Sequence, residues 1–146
     1  MDNIFNGSIY KSRVSIILSA YNESSVILNA IKSIREQHFI DWELIVVNDG
    51  STDETSSSLK EYFPKVYELL GDGNLWWSGS MNLGFELAVK NYSDYVLVFN
   101  NDVIIEPNTI DNLIYTAITF PNSIVGCLIY NLQKPTQIWS AGGIMK

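Results

Sequence analysis

The sequence is short of the residues that usually announce chemistry. Cysteine occurs once, at Cys127, so no disulfide framework can form within the chain. That agrees with a reducing compartment. Histidine also occurs once, at His38, at a predicted helix end where a capping or surface role is expected. Nine Lys and Arg stand against sixteen Asp and Glu, a net charge of −7, and the cations form no block. Nucleic acid needs clustered cations for its phosphates, so it is not an expected partner. No apolar run approaches the roughly 20 residues that cross a bilayer, and "MDNIFNGSIYKSR" holds no apolar core of a secretory signal. A soluble protein is expected. There is no G-x-G-x-x-G after the first strand and no G-x-x-x-x-G-K-[ST] anywhere, so a dinucleotide oxidoreductase and a P-loop NTPase lose most of their support. A Ser-His-Asp hydrolase fails too, for want of a G-x-S-x-G elbow.

What is present is a globular pattern. The chain has 146 residues, 47% of them hydrophobic, enough for one domain whose core needs no disulfide. Short apolar runs alternate with segments of helical period. "VSIILS" (Val14–Ser19) reads as a buried strand, and Val26, Ile27, Ala30, Ile31 and Ile34 predict a helix over about 24–37. "WELIVV" (Trp42–Val47) is the second strand. Ser51-Thr52-Asp53-Glu54 has capping-box form and predicts a helix reaching about Tyr62. "KVYELL" (Lys65–Leu70) is a third strand. Met81, Phe85, Ala88 and Val89 mark a helical face, and "YVLVF" (Tyr95–Phe99) is a fourth strand. Pro107 at a first helical turn, followed by Ile110, Leu113, Ile114, Ala117 and Ile118, predicts another helix. "SIVGCLI" (Ser123–Ile129) reads as a fifth strand and "QIWSAG" as a sixth. Continuously apolar strands alternating with helices mean a mainly parallel sheet covered on both faces, an α/β doubly wound, Rossmann-like domain.

In such sheets ligands bind outside the carboxyl ends of the strands. The first strand ends in Ser19-Ala20-Tyr21-Asn22 and the second in Asn48-Asp49-Gly50-Ser51-Thr52-Asp53. The third leads into Gly71-Asp72-Gly73-Asn74 and the fourth into Asn100-Asn101-Asp102. Taken singly, each is readable as a turn or an N-cap. Trp76 and Trp77 read as core or loop-packing aromatics rather than sugar platforms. Together, the four ends bring hydroxyls, amides and carboxylates to one edge, and that coincidence favours a site.

"VSIILSAYNE", "WELIVVNDGSTDET", "GNLWWSGSMNLGFELA" and "YVLVFNNDV" together resemble family-2 glycosyltransferases, nucleotide-sugar-dependent enzymes of GT-A fold. The likeness runs from about Val14 to Pro107, in order and spacing. "GNLWWSGSMNLG" and "NNDV" further resemble bacterial members that transfer rhamnose or similar sugars in surface-polysaccharide assembly. The resemblance implies that Ser19, Tyr21 and Asn22 line the nucleotide pocket, the Tyr21 ring against the base, and that Asp49 accepts a hydrogen bond from the base. It implies that Gly79 to Asn82 open a helix beside the sugar diphosphate, where free amides favour anions. Asn100, Asn101 and Asp102 fall at the family's DXD-type motif, with Asp102 at the carboxylate that binds Mn²⁺ or Mg²⁺. A hard cation with oxygen ligands also lets an acidic protein hold an anionic UDP- or dTDP-type donor. The implied acceptor is a glycan or a lipid-linked acceptor, in the cytoplasm or at the inner face of the membrane.

Two departures qualify the resemblance. Asn100 and Asn101 stand where many relatives carry aspartate, so intrinsic metal affinity is expected to be lower. The inverting mechanism needs a general base, and no residue before Lys146 is assignable to it; neither Glu106 nor Asp111 is. The 1–146 chain is therefore expected to be a single donor-binding domain, truncated before the base and the acceptor-binding part. A sheet cut in this way would expose an edge suited to homodimerisation. The alternative is a non-catalytic nucleotide-binding or interaction module that keeps the fold. A nucleotidyltransferase ranks third, because Ser19–Asn22 offers no Gly- and cation-rich signature loop.

Overall fold

The computed structural model describes residues 13–141. The elements run β1 (Val14–Ala20), α1 (Ser24–Arg35), β2 (Trp42–Asn48), α2 (Thr55–Tyr62), β3 (Tyr67–Leu70), α3 (Trp76–Lys90), β4 (Tyr95–Val98), α4 (Thr109–Thr119), β5 (Ile129–Asn131) and β6 (Lys134–Ser140). The chain divides into two compact units: Met1–Arg35 with Ile40–Ile105, and Glu36–Phe39 with Glu106–Lys146. Among the described residues, no helix is long and apolar enough to cross a membrane.

The first unit is a four-stranded, all-parallel sheet in the order β3-β2-β1-β4. Its two central strands, β1 and β2, are buried along nearly their whole length, as expected of strands covered on both faces. On one face Ile17, Ile45 and Val47 pack with Met81 and Ala88 of α3, ringed by Leu69, Leu75, Leu83, Leu87 and Val98. The alternate residues Ile16, Leu18 and Val46 are fully buried, as are Ile27, Ile31 and Ile34 on the apolar stripe of α1. Each such side chain contributes about 2 kcal/mol of burial. Gly84 lets α3 lie close on β1, since a Cβ there would stand 2.5 Å from Ile17 Cγ2. The chain steps from β1 to β2 to β3 in one direction and then returns across the sheet to β4. Right-handed crossovers therefore place α1 and α2 on one face and α3 on the other, in keeping with α1 touching α2 while α3 lies on β1 and β2. The reversal makes β1/β4 the topological switch point.

The amino ends of the strands are closed by a polar knot. Glu43 is 8% exposed. Its carboxylate accepts from Arg13 Nη2 at 2.6 Å, Ser15 Oγ at 2.5 Å and Asn91 Nδ2 at 2.9 Å. Burial works to raise the Glu43 pKa, but the hydrogen bonds from Ser15, Asn91 and Arg13 and the Arg13 charge together hold it below its ordinary value.

The second unit holds α4, with Ile110 and Ile114 buried, and an antiparallel hairpin of β5 and β6. His38 is set there by Asn108 Oδ1, 2.7 Å from its Nδ1.

Several expectations are corrected. Ser123–Ile129 is not a fifth sheet strand: only Ile129 enters a ladder, and it pairs with β6. The run carries Gly126, and Ile124 is 91% exposed, so the apolar sequence has no neighbour to pair with among the described residues. The sixth strand exists as β6, outside the parallel sheet. The capping box does not form, since α2 begins at Thr55 with no side-chain bond at its N-cap, Glu54. Instead Asp53 Oδ1 accepts from the amide and hydroxyl of Thr55. Pro107 precedes the first turn of α4, whose N-cap is Asn108.

Glu43→Ala removes the carboxylate that accepts from Asn91 and Arg13, leaves Ser15 only its bond with Ser93 Oγ, and is expected to cost about 3 kcal/mol in urea unfolding. The Glu43 contribution is complete above the unfolded carboxyl pKa of about 4.3 and is lost as pH falls through the lower folded value. Glu43→Gln should therefore show a shallower loss of stability than wild type on acidification below about pH 4.5. Equal acid limbs would contradict this role.

Candidate functional site

The carboxyl ends of β1 and β2 and the start of α3 enclose a cavity of about 340 Å³. Ser19, Ala20 and Tyr21 leave β1 into it, followed by Glu23, and Asp49 enters directly after β2. Gly73 comes from the β3–α3 loop, and Trp76, Trp77 and Ser80 come from the first turns of α3. All of these belong to the first unit.

Asp49 organises this end of the sheet. It is 6% exposed, and its own amide donates to Ala20 O at 2.9 Å, tying the ends of β1 and β2. Its Oδ1 accepts from the Gly73 amide at 2.9 Å, and its Oδ2 from the amides of Leu75 (2.9 Å) and Trp76 (3.0 Å). A carboxylate thus caps α3, where the free amides and the helix dipole favour negative charge. Gly71 permits this approach: a Cβ there would run into the Asp49 carboxylate and lie 2.6 Å from Leu75 Cδ1. The bond also holds Trp76 at φ 53, a conformation strained for a bulky L residue.

The expected site residues separate into three groups. Ser19, Tyr21 and Asp49 line the cavity. Asn22 does not. It adopts φ 54, its amide donates to Ser51 Oγ at 2.9 Å, and its Oδ1 accepts from the amides of Thr52 (2.7 Å) and Asp53 (3.2 Å). Its side-chain oxygen staples the loop after β1 to the loop after β2. Asp53 completes that staple. The Thr55 hydroxyl, with the amides of Ser24 and Thr55, outweighs desolvation and holds its carboxyl below the usual range.

The third group, Gly79 and Asn82 with Asn100 to Asp102, lies away from the cavity lining, although Ser80 between the first two does line it. Gly79 to Asn82 do not open α3, which starts at Trp76. The Gly79 amide already donates to Leu75 O, Asn82 is exposed, and Asp49 takes the amides of Leu75 and Trp76 at the helix start. Asn100, Asn101 and Asp102 form a turn after β4, with Val103 N donating to Asn100 O at 3.2 Å. Asn101 is buried, and its Nδ2 donates to Glu23 Oε2, so this turn is fastened to a residue of the cavity. Asp102 is exposed. No group of three or more His, Cys, Asp or Glu able to hold a metal occurs among the described residues. One free carboxylate is nevertheless a sufficient protein contribution for Mg²⁺ or Mn²⁺ when phosphate oxygens and water complete the shell.

Sequence reasoning missed Glu23, reached Gly73 and Ser80 only as members of the segments Gly71–Asn74 and Gly79–Asn82, and misjudged the tryptophans. Trp76 and Trp77 are 81% and 50% exposed and form a wall of the cavity instead of packing a core. A signal for Ser80 existed: it stands in line with Gly84 and Ala88 at helical spacing on the buried face of α3, where a hydroxyl is out of place.

The sequence pattern described as Glycosyl transferase family 2 matches residues 15–143. The chain belongs to that family. An uncharacterized glycosyltransferase of Rickettsia prowazekii is 32% identical over 108 residues, covering 73% of this chain and 32% of the relative. The mannosyltransferase PcManGT of Pyrobaculum calidifontis, solved with GDP-Man and Mn²⁺, superposes with a TM-score of 0.65 at 24% identity, over 74% of this chain and 33% of that one. TarS of S. aureus, solved with UDP-GlcNAc, gives 0.63 at 19% identity, over 87% and 45%. These structures establish the GT-A fold of this family-2 chain. The chain spans about a third of the length of the relatives it matches.

Asp49→Ala removes the cap and leaves three amides at the start of α3 without their acceptor. We expect a loss of about 2 kcal/mol in urea unfolding. A loss under about 0.5 kcal/mol, within the range of an ordinary surface substitution, would show that the cap does not stabilise α3.

Proposed function

We propose that this family-2 chain is the donor-binding part of a glycosyltransferase. The enzyme moves a sugar from a UDP- or dTDP-type donor to a glycan or lipid-linked acceptor, with inversion, in surface-polysaccharide assembly on the cytoplasmic side of the membrane. The observation that carries this reading is the cavity at the carboxyl ends of β1 and β2, lined by Tyr21 and Asp49, with Glu23 of its lining bonded to Asn101 in the turn after β4. The "GNLWWSGSMNLG" segment favours rhamnose or a similar sugar as the group moved.

Each residue has a physical task. The exposed Tyr21 ring packs against the base. Three acceptor sites of Asp49 are occupied by amides; a carboxylate offers about four, and the last takes an N–H of the base. Asp102, with Asn100 and Asn101 beside it, faces the diphosphate and would hold Mn²⁺ or Mg²⁺. When bound, that ion stabilises the charge on the departing diphosphate as a Lewis acid. Two amides in place of carboxylates make the protein's own hold on the ion weak, so the ion arrives chiefly with the nucleotide.

Titration of the chain with UDP and with dTDP, each with and without Mn²⁺, tests this. At least one nucleotide should bind more tightly with Mn²⁺, and Asp102→Ala should remove at least about tenfold of the Mn²⁺-dependent affinity. Wild type that binds neither nucleotide refutes the donor reading. A variant that keeps the full Mn²⁺ dependence refutes the role of Asp102.

A further inference from the structure

The pairing of β4 with β1 ends early. Val98 stands opposite Ile17, the last paired position, while β1 runs on to Ala20 beside β2. The chain from Phe99 to Asp102 therefore leaves β1 with no ladder to fix it. One internal bond, from Val103 N to Asn100 O, shapes the turn but does not place it against β1.

Within this turn Asn101 stands apart. Asn100 and Asp102 are exposed, whereas Asn101 is buried and its Nδ2 donates to Glu23 Oε2. The backbone of Glu23 is itself fixed. Its carbonyl accepts from the Val26 and Ile27 amides, each at 3.1 Å, in the first turn of α1. The Ser24 amide beside it donates to Asp53 Oδ2. A carboxylate thus reaches from an anchored helix start to the turn after β4, and all of these residues belong to the first unit. A hydrogen bond with one ionised partner is roughly twice as strong as a neutral one, which suits it to setting a turn that no ladder holds.

The bond also accounts for the residue type. An aspartate in place of Asn101 would set a second carboxylate against Glu23, and like charges so close repel. The Glu23 carboxylate only accepts, and asparagine supplies the N–H it needs. The amide of Asn101 is then not a metal ligand given up but the donor half of a clasp.

We infer that Glu23 is a positioning residue: through Asn101 it holds the turn that carries Asp102, and so fixes where that exposed carboxylate stands. The inference rests on the role given to Asp102 above and adds to it the residue that places it.

Titrations with UDP and dTDP, with and without Mn²⁺, test this on Glu23 and Asn101 variants, with Asp102→Ala as the reference. Glu23→Ala should lose at least about tenfold of the Mn²⁺-dependent affinity, the usual loss when a partner behind a metal ligand is removed. Glu23→Gln, whose side-chain oxygen can still accept from Asn101, should keep that affinity to within about threefold. Asn101→Asp should lose about tenfold although it adds a carboxylate to the turn. Glu23→Gln combined with Asn101→Asp should recover the loss, because the new amide donates to the new carboxylate. If Asp102→Ala is impaired and Glu23→Ala is not, the inference is overturned while the reading of Asp102 stands. A loss in Glu23→Gln as large as in Glu23→Ala would make the charge of Glu23, not its bond, the cause, and overturns it too. So does a tighter Mn²⁺-dependent affinity in Asn101→Asp, or a combined variant no better than Asn101→Asp. Wild type without Mn²⁺ dependence, or Asp102→Ala that keeps it, overturns both. Should Asn101→Asp fail to fold, the two Glu23 variants decide, since the Glu23 side chain is exposed and its replacement should leave Tm near that of wild type.

Discussion

The Asp49 carboxylate is the interaction on which the functional end of the sheet depends. It sits where β2 leaves the core and reaches the amides of Gly73, Leu75 and Trp76 at the start of α3. The chain between β3 and α3 could otherwise take many paths, because its Gly-Asp-Gly-Asn sequence imposes little. One buried charge with three donors removes that freedom. It also meets the ordinary requirement that a buried carboxylate be hydrogen-bonded and supplies the negative group that a helix start favours. The placement of the tryptophans and the strained Trp76 backbone follow from where α3 begins.

A second set of polar bonds holds the other strand ends. Asn22 joins the loops after β1 and β2, Asp53 anchors the Ser24 amide at the start of α1, and Glu23 holds Asn101 after β4. The carboxyl edge is thus a web of short side chains bonded to backbone, while the amino edge is closed by the Glu43 knot. Between them lies an apolar sheet that contributes burial but no chemistry. The division is the usual one for a doubly wound domain, with rigidity in the sheet and chemistry in loops fixed at its rim.

The strand-end motifs therefore have mixed duties. "NDG" supplies a structural carboxylate with one acceptor site left over. "YN" gives one ring to the cavity and one side-chain oxygen to the loop staple. "NND" gives one buried amide to the clasp with Glu23 and one exposed carboxylate to solvent. A motif read as a row of ligands is, in three dimensions, a row in which alternate residues build the frame.

The sequence alone determined the alternation of strands and helices, the parallel sheet and the edge where chemistry would gather. Hydrophobic period and turn residues are local signals, and buried parallel strands write them plainly. Tertiary structure decided which side chains at that edge face the cavity and which face each other, because that depends on partners 20 to 80 residues away, as with Asp49 and Trp76 or Glu23 and Asn101. It also decided against the Ser123–Ile129 strand, since an apolar run becomes a strand only beside another strand. The start of α3 was legible in neither period nor capping residues: it is set by a carboxylate from a different strand. Asn101 is the sharpest case, for an asparagine in a turn is unremarkable in sequence, and only its bond to Glu23 gives it meaning.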